Sequence, residues 1–473
     1  MSKAQKVENI FELTNMQEGM LYHSLLNDES NAYYETFEFT IKGDLQVDIF
    51  QESFNKLIER HSSFRTIFKY TNVKKPLQVI LKSRKLNCHF DNLTMLNEDE
   101  RREKIETYKN EVGMRRYNLQ KDLLIRVAIF KVKEEEFKVV INFHHIIMDG
   151  WCIGIVMGEL FSIYKSLATN APITLGDVPN SKLYYDWLKA QDKSKALKYW
   201  EDYLTGYTIG ENTLKLPNIK EEYTQELFKL NISKDITEKI DLLCKKNSTT
   251  INNFICTVWA VLMDRYLGKD DIVFGSIVSG RPPEIMGIEK MVGLFINTIP
   301  IRVKVDKNRK FVDILNEGQV HKNESMSYDF LPIADVQSKI NSKENIIDHI
   351  IVFENYPIGE KMKSMDDCSK LGLDIQDISA EEQTNYDLNI VVTPGEDLNI
   401  EFKYNKFAYS RDIIEKFSKG IEVIINQVLN NENIIAEDIE ILEDEERNFL
   451  LKELNNTSKE YDSNKTLEKY FEE

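Results

Sequence analysis

Two adjacent histidines, His144 and His145, and an aspartate, Asp149, share the stretch Phe143-His144-His145-Ile146-Ile147-Met148-Asp149-Gly150-Trp151. Histidine titrates nearest neutrality, so one aimed at a substrate can move a proton or orient a hydrogen-bonding group. A metal fits poorly, because neighbouring strand residues point to opposite faces and no other His/Cys cluster supports the pair. A nucleophile fits no better: there is no G-x-S-x-G turn, and Cys152, the nearest thiol, lies on the helix side. What remains is acid/base or hydrogen-bond chemistry on substrates brought from outside. The plain structural reading stands beside it: a His pair near an apolar strand can be buried and satisfied, and Asp149 can cap the helix that follows.

Positioning requires a frame. Phe137-Lys138-Val139-Val140-Ile141-Asn142-Phe143 reads as a strand, and Ile153, Val156, Met157, Leu160, Tyr164 and Leu167 recur at helical spacing. The histidines therefore sit on a strand-to-helix turn. Upstream, Thr14 and Gln17 have capping-box spacing at the start of a helix over 13–25. Tyr33, Phe37, Phe39 and Ile41 alternate with polar residues as a strand with one face inward. Val47, Phe50, Phe54, Leu57 and Ile58 form a second helix, and strands are expected at 76–81 and 123–131. From about 176 to 220 the pattern loosens, with Tyr184-Tyr185-Asp186-Trp187 and Tyr199-Trp200 in a segment suited to crossing between lobes. A second α/β half follows, with helices at 234–247 and 251–266 and a strand at 271–279 that Gly280-Arg281-Pro282-Pro283 ends. Ile299, Ile301 and Val303 alternate with Arg302 and Lys304, Pro394-Gly395-Glu396-Asp397 turns a hairpin, and a helix spans about 410–430.

The 473 residues exceed one ordinary core and predict two lobes with a tail. A net charge of −17 argues against nucleic acid as a ligand. No apolar run of transmembrane length and no signal-peptide core stand out, and five scattered cysteines without metal spacing fit free thiols in a reducing cytoplasm.

The histidine stretch resembles the HHxxxDGW signature of condensation domains from nonribosomal peptide synthetases. Other motifs of that family follow in order: Leu13 to His23, Arg60-His61-Ser62-Ser63-Phe64-Arg65-Thr66, Tyr185-Asp186-Trp187, Lys198-Tyr199-Trp200, Val278-Ser279-Gly280-Arg281-Pro282, and Val292 to Thr298. Tyr328 to Gln337, Phe353-Glu354-Asn355-Tyr356-Pro357 and Thr384-Asn385-Tyr386-Asp387-Leu388 complete the series, so the resemblance covers about 7–440. The wording MQEGMLYH, VFENYP and TNYDL is similar to the branch accepting a donor that ends in a D-residue, downstream of an epimerisation domain. Trp151 directly follows Gly150, unlike in epimerisation domains, and the histidines are not the aspartates of cyclisation domains. Two departures are Asn15, where Pro is frequent, and Cys152, where serine is frequent, so a role of that hydroxyl does not carry over.

The resemblance implies an α/β fold of two α+β chloramphenicol-acetyltransferase-like lobes, a V-shaped pseudo-dimer with a central tunnel. Residues 1–180 form the lobe carrying HHxxxDG, 181–440 the second lobe, and 441–473 a linker toward an adenylation domain. It also implies that the domain opens its subunit at Met1, unless Met1 marks only the edge of an excised piece. The partners implied are upstream and downstream peptidyl carrier proteins and an adjoining adenylation domain, with no nucleic acid and no membrane. No cofactor is bound by the domain itself; substrates arrive on phosphopantetheine arms, and the acceptor amine attacks the donor thioester. Positioning two tethered reactants can supply roughly 7–11 kcal/mol, and an α-amine with pKa near ~8 needs no strong base. His145 takes the reactive position, as base or as orienter of the amine, with His144 packed or hydrogen-bonded behind it. Asp149 is read as an ion-pair partner of Arg281 or Arg65. Gly150 is expected to let the backbone turn close to the substrate and offer an N–H to the oxyanion. Trp151 packs, and Asn297 either lines the tunnel or makes a buried turn. A coenzyme A-dependent acyltransferase of the same fold and a catalytically silent recruiting domain are the alternatives.

Overall fold

The computed structural model describes residues 6–26, 32–210, 212–216, 223–340, 345–354, 371–457 and 466–472. Asn355, Tyr356 and Pro357 of the VFENYP motif, Met1 and part of the 441–473 tail fall outside them. The first half runs β1 (Val7–Glu12), α1 (Asn15–Leu26), β2 (Tyr34–Lys42), α2 (Val47–Arg60), β3 (Thr66–Lys69), β4 (Leu77–Leu81), β5 (His89–Asn92), α3 (Glu98–Tyr108), β6 (Ile125–Lys133), β7 (Glu136–His144) and α4 (Trp151–Ala168). Two helices follow, α5 (Lys182–Ala190) and α6 (Lys193–Tyr203). The second half holds β8 (Gln225–Ile232), α7 (Lys234–Lys246), α8 (Ile251–Leu267), β9 (Asp271–Val278), β10 (Asn297–Lys304), α9 (Phe311–Ser325), α10 (Ile333–Lys339), β11 (Ile350–Phe353), β12 (Asp374–Glu381), β13 (Leu388–Thr393), β14 (Leu398–Asn405) and α11 (Arg411–Asn430).

Each half builds one large sheet. The order is β12-β2-β7-β6-β5 in the first and β10-β9-β11-β13-β14-β8 in the second, with a small β1-β4-β3 sheet beside the first. α2 and α4 cover one face of the first sheet. On α2, Phe50, Phe54, Leu57 and Ile58 form one apolar stripe, and Phe50 meets Phe161 and Tyr164 of α4 at ring distances of 6.1 and 6.0 Å. Burying each such aromatic contributes about 1.5–3 kcal/mol. Contrary to the expectation of no such run, α4 is by length and composition alone long and apolar enough to cross a membrane. Here its apolar side, from Cys152 through Leu160 to Tyr164, belongs to the first lobe's core.

Two expectations need correction. β2 does not have one wet face: all but one of the residues Tyr34–Ile41 are buried. The 109–117 segment lies over the second face, where Tyr117 stacks on Tyr34 and donates to the Asn142 carbonyl, while the Asn142 amide donates to Thr36 Oγ1 at 2.8 Å. Likewise Arg302 of β10 is buried, because Asp271 receives it in bidentate fashion at 2.8 and 2.7 Å and the carbonyls of Tyr203 and Thr205 accept its other N–H groups.

The halves are also woven together. β12, from the 181–440 segment, pairs antiparallel with β2 and completes the first lobe's sheet. α5 bridges as well: Tyr185 stacks on Phe11 at 4.3 Å and donates to Gln78, while Tyr184 packs edge-on to Phe295 at 4.7 Å. The histidine turn lies at this junction.

Candidate active site at the lobe junction

β7 ends at His144, and both halves fix the backbone that follows. The His144 N–H donates to Leu124 O, the His145 N–H to Tyr33 O, and Gln17 Nε2 to Ile146 O. Gln17 and Thr14 do form the reciprocal cap that their spacing suggests. From the second half, the Gly293 carbonyl accepts the Asp149 N–H at 3.2 Å.

Strand alternation sends the two histidines to opposite faces. His144 is fully buried against Tyr34 and Tyr117. Its Nδ1 accepts the Ile146 N–H at 3.1 Å, so the proton sits on Nε2, which meets Ser24 Oγ at 3.1 Å. Burial pushes its pKa down to about 3, with His145 and Arg116 adding to the shift, so the ring is neutral. Both nitrogens are engaged, which makes it an anchor.

His145 is placed differently. It is 93% buried, since 7% of its surface is exposed, yet its Nδ1 has no hydrogen-bond partner among the described residues. Its Nε2 lies 4.0 Å from Glu382 Oε1. One ring nitrogen of His145 and one carboxylate oxygen each of Glu35 and Glu382 fall within 4.8 Å of one another. The first shares an inward face with Phe143, its cross-strand partner on β7; the second follows directly on β12. Burial, then the Glu382 charge, raises the Glu35 carboxyl well above the usual range, and the same causes push Glu354 up to about 7. Neither Glu35, Glu354 nor Glu382 was singled out as a site residue from the sequence. An acidic residue at an inward position of β2 was the available signal for Glu35.

Asp149 turns away from this cluster. Its Oδ1 accepts from Arg281 Nη2 at 2.9 Å and from the Cys152 thiol at 3.2 Å, and its Oδ2 from the Phe295 N–H at 3.0 Å. The pair is buried on both sides. Arg281 also donates to the Ile288 and Met291 carbonyls and lies over the Phe295 ring at 4.4 Å. Of the two candidate partners, then, the structure selects Arg281. Arg65 is elsewhere, held by Glu8 and the carbonyls of Ile58 and Leu81 beside the small sheet. Cys152 stands within the ion-pair network, and burial, aided by the Asp149 charge, pushes its thiol up to about 12.

Gly150 has φ −58° and ψ −30°, ordinary helical values, so the turn does not require glycine's left-handed freedom. Trp151 donates its indole N–H to Glu289 O and sits 5.7 Å from the Arg281 guanidinium, packing at the seam. Asn297 spends its amide on the carbonyls of Asp329 and Leu331, both at 2.6 Å, beside a small cleft shared with Asn15 and Tyr184. The structure brings His144, His145, Asp149, Arg281, Trp151 and Cys152 together and leaves Arg65 outside.

This geometry is a neutral anchoring histidine, a second with a spare nitrogen, and a charge pair tying its loop to the other lobe. The family model described as "Condensation domain" matches residues 7–451. The chain belongs to the nonribosomal peptide synthetase condensation domains. It is therefore an amide-bond-forming acyltransferase. It is 36% identical to gramicidin S synthase 2 of Brevibacillus brevis across 100% of this chain and 11% of that protein. It is 37% identical to surfactin synthase subunit 3 of Bacillus subtilis (strain 168), across 99% of this chain and 36% of that one. The chain thus spans about a tenth of the length of gramicidin S synthase 2. Among solved structures, the first condensation domain of the calcium-dependent antibiotic synthetase, in complex with a substrate analogue, matches with a TM-score of 0.73 at 14% identity. That match covers 92% of this condensation domain and 100% of the solved chain. The X-domain from teicoplanin biosynthesis matches at 0.75 and 15%, covering 93% and 99%. The two-lobed mixed α/β fold is the condensation-domain fold.

Proposed function

We propose that this condensation domain joins an upstream donor thioester ending in a D-residue to the amine of a downstream aminoacyl thioester, both delivered on phosphopantetheine arms of carrier proteins. The carrier proteins and an adenylation domain beyond residue 440 are the partners in this reading, and the cytoplasm its compartment. The observation that carries it is the asymmetry of the histidines. His144 has both nitrogens engaged, whereas His145 has, among the described residues, an unpartnered Nδ1 and an Nε2 that lies 4.0 Å from Glu382 Oε1. A substrate group can therefore take up that hydrogen-bonding capacity.

Donor stereochemistry rests on the wording of Met16 to His23, of Val352 to Pro357 and of Thr384 to Leu388; Tyr33 contacts the last, its hydroxyl donating to Asn385 Oδ1 at 2.8 Å. In mechanism, the domain aligns two tethered reactants, and alignment supplies most of the acceleration. The amine attacks the donor carbonyl, the C–S bond breaks, and the chain passes downstream. His145 orients the amine or receives its proton.

A second reading has one observation in its favour. The X-domain shares the fold equally well, and one solved structure shows an X-domain in complex with OxyB, so the fold alone accommodates partner recruitment. Peptide formation separates the two. With both carrier proteins loaded, the expected result is product from the D donor and not the L donor, lowered at least ~100-fold in His145→Ala. Product from neither donor would support recruitment, and an L preference would remove the D-donor assignment.

A further inference from the structure

The carboxylates beside His145 have no part in the site as described so far. Glu35 is 92% buried, its Oε1 lacks a partner among the described residues, and it shares its surroundings with Glu382 and Glu354. Among the described residues, Lys403 of β14 is the cation acting on both Glu35 and Glu354, with Glu401 adding a further negative charge near Glu354. Three crowded carboxyls facing one ammonium repel one another and hold protons more tightly than usual, and a further cation placed among them would relieve that repulsion. The buried Glu35 Oε1 and His145 Nδ1 have no hydrogen-bond partner among the described residues, so these residues leave that capacity open.

Spacing distinguishes the cations. Three acceptors around one tetrahedral ammonium, each about 2.9 Å from the nitrogen, stand about 4.7 Å apart. Ligands of a tetrahedral zinc ion at about 2.1 Å stand about 3.4 Å apart. Here the three atoms lie within 4.8 Å, and His145 Nε2 is 4.0 Å from Glu382 Oε1. The His145–Glu382 separation is longer than the zinc spacing, and all three atoms fit within the ammonium spacing.

We propose that Glu35, Glu382 and His145 form a three-acceptor site for a primary ammonium, the α-ammonium of the acceptor substrate, and that a glutamate takes its proton; this rests on the acyl-transfer reading above. Each N–H of the ammonium meets one acceptor. One N–H bond breaks, its proton passes to the Glu382 carboxylate, and the nitrogen lone pair is freed. As the C–N bond forms and the C–S bond breaks, the nitrogen loses a second proton, which ends on the departing thiolate. The first proton leaves to solvent when the product departs. His145 then orients the amine while a carboxylate is the proton sink, so Glu382 is a catalytic residue.

The test is binding to the full chain, which reads the site whether or not turnover occurs. Alanyl-pantetheine amide carries the ammonium, and lactyl-pantetheine amide has a hydroxyl in its place. By titration calorimetry at pH 7 the ammonium form should bind at least ~10-fold tighter. Glu382→Gln and Glu35→Gln, which keep shape, should reduce that preference to about threefold or less. Equal affinity of the two mimics for the wild type overturns the proposal without any variant, and so does a preference retained in both variants. A third mimic, with an α-hydroxyl and a side-chain ammonium, overturns the α-assignment if it binds as tightly as the alanyl form. Stoichiometric Zn²⁺ binding that His145→Ala abolishes would overturn the ammonium reading in favour of a metal. Absence of peptide product with both carriers loaded bears instead on the acyl-transfer reading.

Discussion

The Asp149–Arg281 pair should act as the clasp between the lobes, and Arg281→Ala tests it. The substitution leaves Asp149 Oδ1 with only the Cys152 thiol, while Oδ2 keeps the Phe295 N–H. It also removes donors from the Ile288 and Met291 carbonyls and a cation from above the Phe295 ring. Both side chains are essentially out of water, at 4% and 0% exposure, so the stranded carboxylate cannot be rehydrated without moving the loop. Breaking such a pair from one side costs about 3–5 kcal/mol. Replacing both members by apolar residues leaves no stranded charge and costs less. Urea unfolding followed by tryptophan fluorescence should therefore give a large loss for Arg281→Ala. An Asp149→Leu/Arg281→Met double variant should lose at least ~2 kcal/mol less than the sum of its single variants. Additivity within about 0.5 kcal/mol would refute a direct, desolvated pairing.

His144 predicts a pH dependence with a definite sign. Burial holds its pKa at about 3 in the folded chain, below the ordinary 6.5 of an exposed histidine, so the unfolded chain takes up a proton that the folded chain refuses. The stability it contributes is intact above pH 6.5 and drains as pH falls toward 3; urea midpoints should drop more between pH 7 and 4 for wild type than for His144→Gln. The raised carboxyls of Glu35 and Glu354 act in the opposite direction but are common to both proteins and cancel in the comparison. Cys152, pushed up to about 12 and fully buried, should escape iodoacetamide in the folded chain at pH 8, as read by peptide mass spectrometry. Cys152→Ser, whose hydroxyl can still donate to Asp149, should keep peptide formation within a fewfold of wild type. Gly280 has φ +56°, and a Cβ there would overlap the Phe295 carbonyl oxygen. Gly280→Ala should destabilise by more than ~1 kcal/mol and be markedly sub-additive with Arg281→Ala, because it moves Arg281 off Asp149.

Local structure was largely legible in the sequence, because local rules govern it. The stripe Phe50-Phe54-Leu57-Ile58 became a helix face, Thr14 and Gln17 capped α1, and Pro394 to Asp397 turned the β13–β14 hairpin. What stayed hidden is long-range. Asp374–Glu381 is polar and mostly exposed, so it carries no inward periodicity; pairing with β2 makes it a strand. Without β12, nothing places Glu382 beside His145, and without Glu382 the inward Glu35 reads as an isolated oddity. The choice between Arg65 and Arg281 is of the same kind. Arg65 ends a single helical turn and Arg281 follows the end of β9, and only the docking of the 281–295 segment onto Asp149 decides between them.

These contacts give the histidine motif a mechanical logic. Adjacent residues at a strand end face opposite ways, so one histidine can be clamped while its neighbour stays available. The clamp on His144 is made within the first lobe, by Ser24 and the Ile146 N–H. The turn's other end is held from the second lobe, by Arg281 and the Phe295 N–H on Asp149 and by the Gly293 carbonyl on its backbone. The carboxylates facing His145 come from both segments too, Glu35 on β2 and Glu382 after β12. His145 and its acidic neighbours are consequently held by one sheet to which both segments contribute, while the far end of the turn is held by the second half's grip on Asp149. Since a displacement of about 1 Å can cost about 100-fold in rate, loosening the Asp149 clasp should impair catalysis without touching His145.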